Sequence, residues 1–321
     1  VDGLLWGVAL LIVGAAFLYF GGDQLVDGSV DLAQALGMAP MVIGLTVVAF
    51  GTSAPELAAT LVAAFRGNPE IAFGNVVGSN IANLGLILGA AALLRPLEAD
   101  ARFLWREVPV MLFAGLLMTV FMWNGAIGRL AGFSLLFLIV PYLGYLLLRD
   151  RRESARVRAE FLGEFGDQER PSTGWALARV TLGIVLLVLG AHFLVEGAVG
   201  LARLLGVSER VIGLTVVAAG TSLPELASAI AAALKREGDI LLGNVIGSNV
   251  FNTLVVFGST ALVRPVAVAA GEARADLLVM LGFSLLIWPF LRFDYRIRRW
   301  EGALLLLSYA GYIAWLASHP S

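Results

Sequence analysis

Two hexapeptides hold the polar atoms on which the chemistry of this chain must rest. Gly51-Thr52-Ser53-Ala54-Pro55-Glu56 and Gly220-Thr221-Ser222-Leu223-Pro224-Glu225 each set two hydroxyls, a proline and a carboxylate inside a long apolar run. Proline has no N–H for the carbonyl four residues earlier, so the Gly51 carbonyl is released and a helix there kinks. A carboxylate at the centre of a bilayer costs about 2.5–3.5 kcal/mol on insertion scales and persists only where its charge is compensated. Hydroxyls, freed carbonyls and carboxylates are hard oxygen donors. Two such sets, with two formal negative charges, form a cage suited to Na⁺ or Ca²⁺, the latter taking about six to eight oxygens. With no cysteine and two histidines in the chain, soft-metal and thiolate chemistry is excluded.

A second polar block lies downstream of each hexapeptide. Asn75, Ser79, Asn80 and Asn83 fall on one predicted span, and Asn244, Ser248, Asn249 and Asn252 on another. Residues 79 and 83 are four apart, as are 248 and 252, so each pair shares a helix face. Their neutral oxygens could complete a coordination shell without adding charge. For Asn75, Asn80, Asn244 and Asn249, hydrogen bonding between helices fits the pattern equally well. Gly74, Gly78 and Gly85 are expected to let neighbouring helices approach closely.

The elements that position these residues are membrane spans. The chain has 321 residues, 59% hydrophobic and 14% charged, with a mean hydropathy of +0.87. That composition excludes a soluble globular domain, which carries about 25% charged residues. Acidic and basic residues nearly cancel to a net charge of −2, which leaves no basic surface for nucleic acid. Apolar runs long enough to span number ten, near 4–22, 40–65, 71–94, 107–123, 128–148, 175–200, 210–234, 240–263, 276–291 and 301–318. Val1-Asp2-Gly3 leads straight into the first of them without the basic stretch of a signal peptide. The one long polar connection, 149–174, mixes arginines with acids and reads as a solvated linker.

Gly44 to Glu56 recurs as Gly213 to Glu225 with 11 of 13 residues identical at an offset of 169, and Gly74 to Asn83 recurs as Gly243 to Asn252 at the same offset. Residues 1–148 and 175–321 are therefore expected to be two copies of a five-helix unit, with the repeated cores at about 41–94 and 210–263. Five is odd, so the second copy enters the membrane from the opposite face, the inverted repeat typical of transporters. Six of the 22 basic residues, Arg66, Arg129, Arg203, Arg210, Arg264 and Arg274, fall on the side of the N-terminus and the rest on the other. The positive-inside rule then puts the 149–174 loop in the cytoplasm and both termini outside.

The two motifs, Gly-Thr-Ser-x-Pro-Glu and Gly-Asn-x-x-Gly-Ser-Asn-x-x-Asn, resemble the alpha-repeats of the calcium/cation antiporter superfamily, in particular its sodium/calcium exchanger branch. The resemblance implies an all-α membrane protein of ten spans in two inverted repeats, exchanging Na⁺ for Ca²⁺ by alternating access. It implies ion ligands at the Ala49 carbonyl, Thr52, Ser53, Glu56, Ser79 and Asn83, and at the Ala218 carbonyl, Thr221, Ser222, Glu225, Ser248 and Asn252. Potassium-dependent relatives, and some archaeal exchangers, carry Asp at the position of Asn252, and Asn there argues against K⁺ coupling. The proton/calcium branch usually has an acid shortly after the Gly-Asn of the second block. None occurs at Val76 to Ser79 or Val245 to Ser248, which disfavours proton exchange, although two close carboxylates in a dry site can hold a proton.

Competing readings are a Ca²⁺/H⁺ exchanger, a cation channel, and an intramembrane hydrolase using Glu56 and Glu225 as paired acids. The last leaves the doubled hydroxyls and amides without a use. The chain lacks a phosphate-binding loop for ATP. It is expected to reside in the cell membrane, with the lipid bilayer and the transported ions as its partners, no cofactor, and no evident protein partner. Asp23, Asp27 and Asp31 read as entrance charges or solvated helix-end groups, since their counterparts at the repeat offset are His192, Glu196 and Gly200. His319 reads as a solvated tail residue, and Arg296, Arg298 and Arg299 as topology determinants.

Overall fold

The computed structural model describes residues 2–101, 103–164, 171–205, 220–292 and 294–318. In chain order the helices are α1 (Asp2–Leu36), α2 (Pro40–Thr52), α3 (Ala54–Phe65), α4 (Pro69–Leu94), α5 (Phe103–Met122) and α6 (Arg129–Glu164). They continue with α7 (Thr173–Leu204), α8 (Leu223–Lys235), α9 (Gly238–Val263), α10 (Ala270–Arg292) and α11 (Arg299–Ser318). The all-α expectation holds. Seven described helices are long and apolar enough to cross a membrane, and α2 with α3 makes an eighth span, bent by 43°. The full ten are not reached. Residues 206–219, the first part of the matching bent span, lie outside the described residues, and α11, which opens with Arg299 and Glu301, is not among the seven.

The repeat offset is written into the elements. Pro69 and Leu94 bound α4, and Gly238 and Val263, each 169 residues later, bound α9. Both helices widen into a π-helical segment at the same place, Asn83–Ile87 and Asn252–Phe257. Over their most apolar stretches α4 and α9 are 78% and 94% buried, against 22% and 28% for α1 and α7. The second block of each repeat therefore forms the core.

Four short strands tie the halves together reciprocally. Leu97–Glu98 (β1) pairs antiparallel with Arg296–Ile297 (β4), and Ala126–Ile127 (β2) with Val266–Ala267 (β3). At the repeat offset β1 corresponds to β3, and β2 to β4 one residue beyond it, so each half contributes one strand to each ribbon. Adjacent loops of one copy lie on opposite faces of a membrane. Pairing each with the non-equivalent loop of the other copy requires the copies to be inverted.

Helices α1 and α7 cross so closely that their backbones touch. Gly7, Gly14, Gly21 and Gly28 recur every seven residues along one face of α1 and meet α7. A Cβ on Gly14 would stand 2.7 Å from the Leu194 nitrogen, and one on Gly183, its counterpart, 2.5 Å from the Leu25 nitrogen.

Several sequence expectations change. At 35 residues, α1 is about 52 Å long and exceeds the 4–22 span. Its carboxylates are not simply solvated. Arg179 on α7 bridges Asp27 and Asp31, both at 2.7 Å, and Lys235 on α8 bridges Asp23 and Asp27, both at 2.5 Å. Part of the 149–174 connection is helical, since α6 runs on from Arg129 to Glu164. Arg296 pairs with Glu98 and Arg298 with Asp294, so the basic cluster also fastens loops. Gly85 does permit close approach, a Cβ there meeting Phe283 and Tyr309 at 2.9 Å, whereas no described atom lies within 4 Å of Cβ positions at Gly74 and Gly78. His319 lies outside the described residues.

Overpacking a tight contact costs about 1–3 kcal/mol. Gly183→Ala is accordingly expected to lower the unfolding midpoint in detergent, and Gly200→Ala, where no atom lies within 4 Å, to leave it in place or raise it. Fluorescence-detected size-exclusion chromatography after a heating series measures both.

Candidate ion-binding site

Pro55 and Pro224 do more than kink a helix. Each stands in the first turn of a helix that restarts after a break, at Ser53 (φ −86°, ψ 5°) and Ser222 (φ −92°, ψ 5°). Proline is tolerated there because a first-turn N–H has no intrahelical partner. The restart places Glu56 and Glu225 in the first turns of α3 and α8, where the positive end of the helix dipole favours a carboxylate. Both are almost fully buried, at 1% and 2% exposure.

The two breaks face one another and exchange hydrogen bonds. Ser53 Oγ donates to Glu225 Oε1 at 3.0 Å, and Ser222 Oγ donates to Glu56 Oε1 at 3.4 Å. One residue earlier, Thr52 Oγ1 donates to Asn244 Oδ1 at 3.2 Å and Thr221 Oγ1 to Asn75 Oδ1 at 3.4 Å. Each bond in the first half has its counterpart in the second, the mark of a two-fold contact in which i meets j and j meets i. The halves differ in exposure: Thr52 and Ser53 are buried, Thr221 and Ser222 half-buried.

Asn75 and Asn244 are committed to the protein. The Asn75 amide donates to Thr60 Oγ1 at 2.8 Å and to the Glu56 carbonyl at 3.3 Å, and that of Asn244 donates to Ser228 Oγ at 2.9 Å. Ser248 Oγ donates to Asn244 Oδ1 at 3.4 Å. Helix bonding is thus the role of these two amides. Asn83 Nδ2 donates to Asn249 Oδ1 at 3.0 Å, which joins α4 to α9.

What the protein leaves unpartnered is as informative. Among the described residues, Glu56 Oε2, Glu225 Oε2, Asn80 Oδ1, Asn83 Oδ1 and both polar atoms of the Asn252 amide are buried without a hydrogen-bond partner. Five of these six atoms are oxygens. A buried acceptor left unmet costs about 1–3 kcal/mol, so this concentration of unmet acceptors fits a desolvated cation. The Ala49 carbonyl accepts the Ser53 N–H at 3.1 Å and keeps its second lone pair. Ser79 and Ser248 are buried on the two core helices. Ala218 lies outside the described residues. Among the described residues no three His, Cys or acidic side chains gather as a metal cluster, so the carboxylate count of the site is two.

Some polar contacts escape a reading of the two motifs alone. Tyr142 donates to Glu107 at 3.4 Å and Tyr312 to Asp276 at 2.8 Å. The amides of Asn249 and Asn80 point their N–H at the thioethers of Met111 and Met280. Glu107 and Asp276, like Met111 and Met280, are 169 apart, so the repeat offset, followed beyond the motifs, is the signal that marks both pairs.

A family model described as sodium/calcium exchanger protein matches residues 6–149 and 175–317. The putative antiporter CaxA of Alkalimonas amylolytica is 37% identical, covering 96% of this chain and 98% of its own. The sodium/calcium exchanger MaX1 of Methanosarcina acetivorans is 35% identical over 95% and 96%. Among solved structures, the sodium-calcium exchanger NCX_Mj soaked with zero Na⁺ and Ca²⁺ superposes with a TM-score of 0.86 at 32% identity, covering 98% of this chain and 99% of that one.

A ligand that binds only the folded state raises its melting temperature. Millimolar Ca²⁺ is expected to raise the melting midpoint of the purified protein by several degrees. Glu56→Gln and Glu225→Gln, which still insert and fold, should each lose that shift, because one carboxylate leaves a buried divalent charge uncompensated. A retained shift in either variant would remove that residue from the site.

Proposed function

The chain belongs to the sodium/calcium exchanger family of membrane antiporters, and on that premise we propose that it couples the inward Na⁺ gradient to the expulsion of Ca²⁺ by alternating access, independently of K⁺. The observation that carries this reading is the pair of buried carboxylates, each held through one oxygen by a serine of the opposite half while the other oxygen has no partner among the described residues. Two negative charges are balanced by one Ca²⁺ or by two Na⁺, not by both together. The ions therefore compete for one cage, the minimum requirement for exchange.

The same charges disfavour slippage. An empty cage would carry two uncompensated carboxylates through a closed, dry intermediate, and a buried unpaired ion costs several kcal/mol. Occupancy by either substrate removes that cost, so the loaded forms interconvert and the empty form does not. Thr52, Ser53, Ser79 and Asn83, with Thr221, Ser222, Ser248 and Asn252, supply the neutral oxygens, and the Ala49 and Ala218 carbonyls add backbone donors. Neutral Asn at both 83 and 252 supports K⁺ independence. The arginine distribution supports cytoplasmic placement of the 149–174 loop, with both termini outside.

The test is ⁴⁵Ca²⁺ uptake into proteoliposomes loaded with Na⁺, K⁺ or a proton gradient. Uptake driven by internal Na⁺ alone is expected. Uptake that follows the proton gradient would establish a Ca²⁺/H⁺ exchanger, and flux without any counter-ion a channel. Asn252→Asp adds a third acid beside the cage and should make transport newly dependent on pH or K⁺. Unchanged ion requirements would make Asn252 structural.

A further inference from the structure

An asparagine amide is an ambiguous ligand. It offers an oxygen to a cation from one end and a repelling N–H from the other, and a half-turn about its last torsion exchanges them. A site that depends on Asn83 must therefore determine which end faces inward. The structure contains a chain of contacts that does this. Asn83 Nδ2 donates to Asn249 Oδ1 at 3.0 Å, and Asn249 Nδ2 in turn donates to the Met111 sulfur at 3.5 Å. The chain ends on a thioether, which can accept but has no hydrogen to give. With Met111 as terminal acceptor, Asn249 presents its oxygen to Asn83, Asn83 turns its N–H away, and the buried Asn83 oxygen is left without a partner among the described residues.

The inverted copy starts the same chain. Asn80 Nδ2 contacts the Met280 sulfur at 3.6 Å and donates to Thr253 Oγ1 at 3.0 Å. Thr253 could serve as donor or acceptor, so only the thioether dictates direction. The last link, from Asn252 to Asn80, is not made: Asn80 Oδ1 and both polar atoms of the Asn252 amide have no partner among the described residues. Met111, Met280, Asn80 and Asn249 are each at most 3% exposed, so no bulk water competes for these groups.

We infer that Met111 is a positioning residue of the ion site, its acceptor-only sulfur setting the direction of the Asn249 amide and, through it, of the Asn83 amide that presents oxygen to the transported cation. This rests on the ion-exchange reading above and adds to it a residue that touches no ion. Leucine matches methionine in volume and removes the acceptor, so core packing survives the change. Once its sulfur acceptor is gone, Asn249 can rotate, and Asn83 can then turn an N–H toward the cation.

The experiment measures Na⁺-driven ⁴⁵Ca²⁺ uptake by the full chain in proteoliposomes for Met111→Leu, Asn83→Asp and the double variant. For Met111→Leu the half-saturating Ca²⁺ concentration should rise about three- to ten-fold, the worth of one ordinary hydrogen bond, with maximal rate and melting temperature close to those of the unmodified protein. In the Asn83→Asp background both ends of residue 83 are oxygens and nothing remains to orient. There, Met111→Leu should leave the half-saturating concentration unchanged or lower it. Met111→Ile, which also removes the acceptor, repeats the test should Met111→Leu fail to fold. Equal rises in both backgrounds, or a loss of melting temperature and rate without a change in half-saturation, would overturn the positioning role and leave Met111 as packing. Wild-type flux in Glu56→Gln or Glu225→Gln would instead overturn the exchange reading itself.

Discussion

Two carboxylates held in hydrocarbon are the constraint around which the rest of this structure is arranged. Each needs its charge offset, and the chain does so with little that is cationic. The helix that carries each glutamate begins one turn before it, so the dipole of a fresh N-terminus points at the carboxylate. A serine from the opposite half satisfies one oxygen. Both provisions require the span to break, and the break requires a residue that can open a helix but not continue one, which is proline. The kink is therefore the means by which an acid is kept in a membrane at all.

Reciprocity follows from the inversion of the repeat. When two similar copies face each other across an axis in the membrane plane, a donor in one meets the acceptor of the other and the favour is returned. Ser53 with Glu225 and Ser222 with Glu56 do so at the centre, Thr52 with Asn244 and Thr221 with Asn75 beside it, and the two strand ribbons at the periphery. In the proposed alternating-access cycle the hydrogen bonds that open on one face are of the same kind as those that form on the other, so closure on either side carries a similar cost. Small differences then decide which arrangement is favoured, since a few kcal/mol separates a minor state from a major one.

Much of this was legible in the sequence, and the reasons are physical. The central cage is a matter of which residue types survive in hydrocarbon, and Glu56, Glu225 and the prolines announce themselves against a 59% hydrophobic background. The repeat was visible because identical residues return at one offset. Span limits were less legible. Asp23, Asp27 and Asp31 suggested that the first span had ended, yet α1 continues to Leu36 because Arg179 and Lys235, far along the chain, neutralise them. Pairing between distant residues leaves no local trace in composition. The same holds for Met111, which in the sequence is one apolar residue among many and becomes distinctive only when a buried amide N–H points at its sulfur.

Departures from symmetry separate the two membrane faces. Among the described residues the ion pairs of α1 have no equivalent across the axis, where His192, Glu196 and Gly200 occupy the matching positions and only His192 and Glu196 approach, at 3.6 Å. Exposed pairs contribute little singly, but these share partners: Lys235 touches two carboxylates and Arg179 two, with Asp27 common to both. A network of this kind holds α1, α7 and α8 together on one side only, and breaking it must separate several charges at once. The amide links differ as well, made from Asn83 to Asn249 and unmade from Asn252 to Asn80. A chain built from two similar copies thus stands in one asymmetric arrangement. The asymmetry resides in side chains that can exchange partners, while the backbone elements that carry them keep the repeat in register from Pro69 and Gly238 to Leu94 and Val263.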